Sequence, residues 1–199
     1  MFIDEFLNEI KEVVKSIDKR SISKLVNVIK EVKDLDGRIF FAGSGGGAGH
    51  SSHAVCDFRK LLGIESYSIT DNVSELTARI NDESFLESYS NILKVSKPNK
   101  NDCLFVFSVG GGSLDDNISP QLCNLIDFAL DSNMKVAGIV GRDGGYIASK
   151  SENVVIVPTV NERHITAHTE GMQAYLWHLI ISDPVLSPKK TMWESIADK

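Results

Sequence analysis

The stretch RIFFAGSGGGAGHSSHAVCDFRKLLG, residues 38–63, joins a short apolar run to a glycine-rich loop and then to a helix-like segment with two histidines and an aspartate. The apolar run has the length and composition of a buried strand, and the segment of about 48–62 has those of a helix. A strand that enters a helix through a glycine turn is typical of α/β folds. The stretch therefore predicts the start of a strand–helix alternation.

The rest of the chain continues that alternation. Two segments with helical periodicity, roughly 2–17 and 21–35, precede the first strand, and they could form an oligomer interface or cap the core. Uninterrupted apolar strands between helices predict a parallel sheet covered on both faces. The remaining predicted strands are ESYSI (65–69), CLFVFS (103–108), KVAGIVG (135–141) and VVIVP (154–158), and a long helix is predicted at 163–182.

Composition and charge exclude several classes of protein. The 199 residues are 42% hydrophobic and 24% charged, which is typical of one globular domain, and the net charge of −6 argues against a nucleic-acid surface. No apolar run approaches the ~20 residues that span a bilayer, and the acidic, amphipathic start is no secretory signal. Three cysteines without CxxC spacing fit a reducing compartment. We therefore expect a cytoplasmic protein with no membrane or nucleic-acid partner.

Two glycine-rich loops, 43–49 and 110–113, follow predicted strands. In doubly wound sheets ligands bind at the carboxyl ends of the strands, and glycine lets backbone N–H groups approach an anion there. The following helix N-terminus adds a favourable dipole. Two such loops in one sheet favour a phosphorylated small molecule as the ligand.

The glycine-rich loops also allow other interpretations. A P-loop is excluded, because the chain contains no GxxxxGK[ST]. Gly43, Gly45 and Ala48 fit a dinucleotide fingerprint, with Asp71 at the end of the next strand, but the chain has little room for a separate substrate domain. Either loop alone could also be a tight turn without a ligand.

The histidines fall in two segments, each with a carboxylate at helical spacing. His53 and Asp57 are i and i+4, and Glu170 and His178 are i and i+8, so each pair shares a helix face. The two pairs could converge on a divalent metal or act as an acid–base pair. A surface hydrogen bond, or a core contact of His178 beside Trp177, would explain the same spacing. The histidines interpreted as structural or solvated are His50, His164 and His168.

The segments GSGGGAGHSSHAVCD, INDESF, FSVGGGS, GIVGRDGG and HTEGMQAYLWH together resemble the phosphoheptose isomerases of the SIS (sugar isomerase) domain class, along nearly the whole chain. The resemblance implies a flavodoxin-like, doubly wound, five-stranded parallel sheet with N-terminal helices in a single SIS domain, 1–199. Within it we expect a helical arm (1–35), an α/β core (36–182) and a tail (183–199). It also implies a homotetramer that interconverts sedoheptulose 7-phosphate and D-glycero-D-manno-heptose 7-phosphate.

The resemblance further implies roles for individual residues. His53 matches a metal-binding histidine, and Asp57 matches a glutamate that is metal ligand and catalytic base. Glu170 matches a glutamine that touches metal and substrate, and His178 matches an acid–base histidine that is also a ligand. Zn²⁺ is the expected metal for this nitrogen and oxygen set, with Mn²⁺ or Fe²⁺ compatible. Which of Asp57 and His178 removes the carbon-bound proton stays open.

Residues matching the family's substrate-binding positions lie in three segments. They are Ser44, Gly45 and Gly46 in the first loop, Asn81 and Asp82, and Ser108, Val109, Gly110 and Ser113 in the second loop.

The departures from the family pattern are specific. Val109, Gly110 and Gly111 leave the second loop only two hydroxyls, so backbone amides would hold more of the phosphate. Asp57 is one methylene shorter than glutamate, and Glu170 brings a charge in place of an amide, which should strengthen a metal site. A non-catalytic SIS module that binds a sugar phosphate, or an isomerase of another phosphosugar, is the alternative function.

Overall fold

The apolar runs form five parallel strands in the order β2-β1-β3-β4-β5. The computed structural model describes residues 1–196. The strands are β1 (Ile39–Gly43), β2 (Ser66–Ser68), β3 (Cys103–Ser108), β4 (Lys135–Val140) and β5 (Val154–Ile156). The helices are α1 (Phe2–Ser16), α2 (Lys19–Asp34), α3 (Gly46–Asp57), α4 (Val73–Asp82), α5 (Phe85–Val95), α6 (Pro120–Asp131), α7 (Gly145–Lys150), α8 (Ile165–Ile181) and α9 (Met192–Ile196). The strand order is the flavodoxin-like one, so the predicted fold class is confirmed.

The alternation of side chains along the strands separates two apolar layers. Phe41 and Phe105 point to the face covered by α2, α3 and α8, and Phe40 and Leu104 point to the face covered by α5 and α6. These side chains are all nearly inaccessible to solvent. The uninterrupted apolar character of β1 and β3 thus follows from burial on both faces.

The two N-terminal helices differ in how far they join the core. Five residues of α2 are buried, and they pack on the sheet face that α8 also covers. In α1, Val13 is the buried residue, while Phe2, Ile3 and Leu7 are exposed. Of the two roles that the sequence left open, α2 therefore caps the core, and α1 presents apolar side chains to solvent.

Three features depart from the predicted elements. The helix predicted to 62 is α-helical only to Asp57 and continues as a π-helical turn, Phe58–Leu62, ended by the left-handed Gly63. The short helix α7 follows the RDGG turn and was not predicted. The tail sequence predicts that Trp193 packs either on the body of its own chain or on a neighbouring subunit, and its 82% exposure excludes the first of these positions. Among the described residues, no helix combines the length and the apolar character that crossing a bilayer requires.

Candidate active site

Three polar side chains meet in the seam between α3 and α8. His53 and Asp57 lie on α3, and His178 lies on α8. The Oδ2 atom of Asp57 is 3.6 Å from Nε2 of His53 and 3.4 Å from Nε2 of His178. Asp57 is largely buried, with 14% of its side chain exposed, whereas both imidazoles are about half exposed. The two sequence motifs therefore converge on one carboxylate.

Neighbouring groups fix the orientation of these side chains. His178 Nδ1 lies 2.7 Å from the carbonyl oxygen of Ala174, which only accepts hydrogen bonds. Nδ1 therefore carries a proton, and Nε2 is the ring nitrogen that faces Asp57. The buried Trp177 donates from Nε1 to Oδ2 of Asp57 at 3.3 Å. The imidazole and the carboxylate are thus held in place by groups that take no part in their chemistry.

The spacing of the three ligand atoms fits a metal ion. One atom from each of His53, Asp57 and His178 lies within 4.8 Å of the others. The separations of 3.4 and 3.6 Å exceed an ordinary hydrogen bond and match the edge of about 3.3 Å in a tetrahedron with zinc–ligand bonds of 2.0–2.1 Å. The second nitrogen of His178 is already bonded to a carbonyl, as is usual for metal-binding imidazoles.

Glu170, which the sequence predicted as a fourth ligand, does not join this group. It lies two helical turns before His178, about 12 Å along the axis of α8. Its carboxylate packs over Gly46 at the N-terminus of α3, where a Cβ on Gly46 would lie 2.5 Å from it. The shared helix face was predicted, but the distance along it separates Glu170 from the three ligand atoms. Glu170 instead borders the first glycine loop.

The first glycine loop is held from both sides. Gln121 donates to the hydroxyl of Ser44 at 2.7 Å, and the hydroxyl of Tyr89 donates to the carbonyl of Gly43 at 3.1 Å. Gly45 precedes α3 with φ of 56°, a left-handed conformation that favours glycine. Burial raises the pKa of Tyr89, so its hydroxyl keeps its proton. Gln121 and Tyr89 carry no sequence signal that links them to the loop.

The second glycine loop owes part of its composition to packing. Gly111 and Gly112 have φ of 75° and 84°, and their carbonyls accept hydrogen bonds from the first backbone amides of α7. A Cβ on Gly111 would collide with the carbonyl of Gly144. The tight-turn interpretation therefore accounts for these two glycines.

The predicted hydroxyls of the second loop have partners within it. The Ser108 hydroxyl accepts from the amide of Gly111 at 3.0 Å, which leaves its proton available. The Ser113 hydroxyl donates to Asp116 at 2.9 Å. The backbone carbonyl of Val109 accepts from the amide of Gly141, and the side chain of Arg142 lies across Gly110. Only Ser108 is thus ready to donate to a ligand without losing a bond.

A cavity of about 600 Å³ adjoins the second loop, and its lining includes Gly110, Ser113 and Arg142. The Cδ atom of Arg142 would lie 3.4 Å from a Cβ on Gly110, so the guanidinium stem covers that glycine. Arg142 was not among the site residues predicted from the sequence. The available signal was its position directly after β4, at the same edge of the sheet as the glycine loops.

Asn81 and Asp82 lie at the exposed C-terminal end of α4. Asn81 donates to Asp82 at 2.7 Å, and α4 packs mainly on α5. His50, interpreted as structural or solvated, packs between Trp177 and Phe107. Burial lowers the pKa of His50, and the nearby charge of Glu170 opposes that shift only in part. His50 is therefore a neutral neighbour of the metal-ligand group.

Several known proteins are similar to this chain in sequence and in fold. The chain is 27% identical to a phosphoheptose isomerase of Helicobacter pylori in an alignment that covers 81% of this chain and 86% of the relative. It is 26% identical to the phosphoheptose isomerase of Paramagnetospirillum magneticum in an alignment that covers 90% of this chain and 92% of the relative. The structure of phosphoheptose isomerase GmhA from Neisseria gonorrhoeae superposes with a TM-score of 0.76 at 24% identity, covering 94% and 95%.

No family model matches the chain. The likeness in sequence extends over four fifths or more of its length, and the likeness in structure gives the same sheet and helices. Both agree with the resemblance carried by the glycine loops and the histidine segments. The resemblance to the phosphoheptose isomerases is thus confirmed, and the chain is an isomerase with an SIS-domain fold.

Proposed function

We propose that the protein interconverts sedoheptulose 7-phosphate and D-glycero-D-manno-heptose 7-phosphate through an enediol. The observation that carries the proposal is the convergence of His53, Asp57 and His178 on one point, with Nε2 of His178 facing Asp57. The names of the similar proteins support the substrate. Zn²⁺ held by the three side chains, or another divalent ion that prefers nitrogen and oxygen ligands, would polarise the sugar carbonyl.

The two catalytic residues divide the proton transfers. One of Asp57 and His178 removes a proton from C1 of the ketose, and the carbonyl oxygen at C2 gains a proton, which gives the enediol. Return of a proton to C2 and loss of the proton on O1 complete the aldose, so no proton or electron is gained overall. Asp57 is suited to the carbon-bound proton because its largely buried carboxylate is held in a fixed position by the hydrogen bond from Trp177.

The phosphate end of the substrate belongs at the second glycine loop. Ser108 has a proton to donate there, and Arg142 brings a positive charge to the adjoining cavity. The first loop is less suited, because the carboxylate of Glu170 already lies at the N-terminus of α3. We propose Asn81 and Asp82 as contacts for sugar hydroxyls, in keeping with the resemblance.

The proposal extends to the assembly and location of the protein. Exposed apolar side chains on α1, among them Phe2, Ile3 and Leu7, support a homotetramer built through the N-terminal helices. All three cysteines are free, which supports a reducing compartment and hence the cytoplasm.

The test is incubation of the purified, metal-loaded protein with sedoheptulose 7-phosphate, followed by NMR of the aldose phosphate. Product is expected from the native protein and from Tyr175→Phe, an exposed control on α8, and none from His178→Ala. An intact metal site without product would point to another phosphosugar. Absence of both product and metal binding would support the non-catalytic sugar-phosphate-binding module.

Arg142→Gln is expected to raise the KM for the heptose phosphate about tenfold with little change in kcat. The guanidinium at the cavity attracts the phosphate in ground state and transition state alike, and its loss costs about 1.4 kcal/mol of uniform binding. Steady-state kinetics of Arg142→Gln against Arg142→Lys provides the measurement. A fall in kcat with unchanged KM would move Arg142 away from phosphate binding.

Glu170→Gln is expected to lower the KM by a few-fold, because it removes a negative charge from the edge of the sheet that receives a dianionic phosphate. Its amide also matches the glutamine of the resembling family. The same kinetic assay checks this, at low and high ionic strength, since screening should shrink the difference. A loss of bound metal in Glu170→Ala, which removes the side-chain oxygens altogether, would instead make Glu170 a metal ligand.

A further inference from the structure

A second group of metal-ligating side chains lies outside the candidate active site, where the start of α8 meets α1. Oε2 of Glu9 is 2.7 Å from Nδ1 of His164 and 2.7 Å from Nε2 of His168. His168 is buried, and the side chains of Glu9 and His164 are 17% and 23% exposed. Two imidazoles and one carboxylate are brought together from residues about 155 positions apart.

We propose that Glu9, His164 and His168 form a second metal site, which binds a divalent transition-metal ion such as Zn²⁺ and fastens α1 to α8. Two histidines four residues apart near the start of one helix, with a carboxylate from elsewhere, supply three protein ligands of the kind that zinc accepts. One atom from each residue lies within 4.8 Å of the other two. The proposal does not depend on the isomerase activity.

The surroundings of the group resemble those of a metal site. Asn161 donates to the other carboxylate oxygen of Glu9 at 2.6 Å, which orients the carboxylate from outside. The ring of Phe6 covers both imidazoles, and its centroid is 4.6 Å from the ring centroid of His168 and 5.2 Å from that of His164. The apolar cover limits competition by solvent.

Metal binding would exchange one set of bonds for another. The two contacts of 2.7 Å are hydrogen bonds, so each imidazole now carries a proton on the nitrogen that faces Glu9. On binding, that proton moves to the other ring nitrogen, or to solvent from a doubly protonated ring, and the freed lone pair binds the ion. The distance from Oε2 of Glu9 to each imidazole nitrogen must then widen by about 0.6 Å, to the separation between two ligand atoms of a tetrahedral zinc site. The partial exposure of Glu9 and His164 leaves a position for water as the fourth ligand.

The test counts the metal held by each chain. Protein stripped by chelator is reloaded with Zn²⁺, desalted and analysed by mass spectrometry of the metal. We expect two zinc ions per chain in the native protein, one in His178→Ala, one in His164→Gln and none when both changes are combined. Glu5→Gln, an exposed change on α1, should keep two. His164→Gln retains a donor toward Glu9, so the hydrogen-bonded contact between the helices survives.

A second readout isolates the new site. In the His178→Ala background, Zn²⁺ at a hundredfold excess over Kd should raise Tm by about 5–10 °C, and adding His164→Gln should abolish the rise. Equal zinc content in the native protein and His164→Gln, with no such rise, would overturn the proposal. Zinc lost from His164→Gln but unchanged in His178→Ala would instead overturn the metal site in the proposed function, so the two failures are distinguishable.

Discussion

Replacing Asp57 with asparagine is expected to lower kcat for the heptose phosphate by about 10³-fold or more. Asparagine keeps the volume and can still accept from Trp177, but it removes both the proton acceptor and the charge that His53 and His178 face. A positioned general base alone contributes about 10²–10⁴-fold. The measurement is kcat at saturating substrate, together with bound metal. Asp131→Asn, an exposed change at the end of α6, is the control and should leave kcat unchanged.

A complementary change separates the two roles of this carboxylate. Asp57→Glu restores the residue of the resembling family and moves the carboxylate forward by about 1 Å, so metal is retained while the proton-transfer geometry shifts. We expect Asp57→Glu to bind metal as the native protein does, with an altered kcat. An Asp57→Asn variant that keeps its activity would mean that the carbon-bound proton is removed by His178 instead.

The sheet was predictable because its strands are buried on both faces. Burial makes β1 and β3 uninterrupted apolar runs, and such runs have no competing interpretation between helices. The short helix α7 could not be predicted, because it begins directly after a glycine turn, at Gly145 and Tyr146, and its few residues show no apolar periodicity. The position of Trp193 could not be predicted either, because an aromatic residue in a tail favours burial without indicating which surface covers it.

The candidate site was predictable where local spacing determines geometry. His53 and Asp57 share a helix face by their four-residue separation, and the structure brings His178 to the same carboxylate. Glu170 shares the helix face of His178, but their eight-residue separation adds about 12 Å along the axis, so spacing alone could not show whether Glu170 reaches the same point. Glu9 lies about 155 residues from its histidine partners, and no pattern within either segment indicates that contact.

Replacing Asp102 with alanine is expected to lower the free energy of unfolding by about 3 kcal/mol. Asp102 is 1% exposed at the start of β3, and it accepts from the backbone and guanidinium of Arg38 and from the amide of Asn99. The side chain of Arg38 is only 21% exposed, and the variant leaves its positive charge without the carboxylate of Asp102. Urea unfolding at pH 7 measures the loss, and Asp131→Ala should stay within about 0.5 kcal/mol of the native protein.

The pH dependence of that loss has a definite sign. Burial opposes the charge of Asp102, but the hydrogen bonds from Arg38 and Asn99 outweigh it, so the pKa of Asp102 lies below its usual value. A carboxyl whose pKa is lower in the folded state adds stability above the unfolded pKa of about 3.9 and loses it as the pH falls through the folded value. The difference between the native protein and Asp102→Ala should therefore be constant from pH 8 to about pH 5 and shrink below pH 4. A difference that persists unchanged into acid would mean that the alanine acts through lost packing rather than through the lost charge.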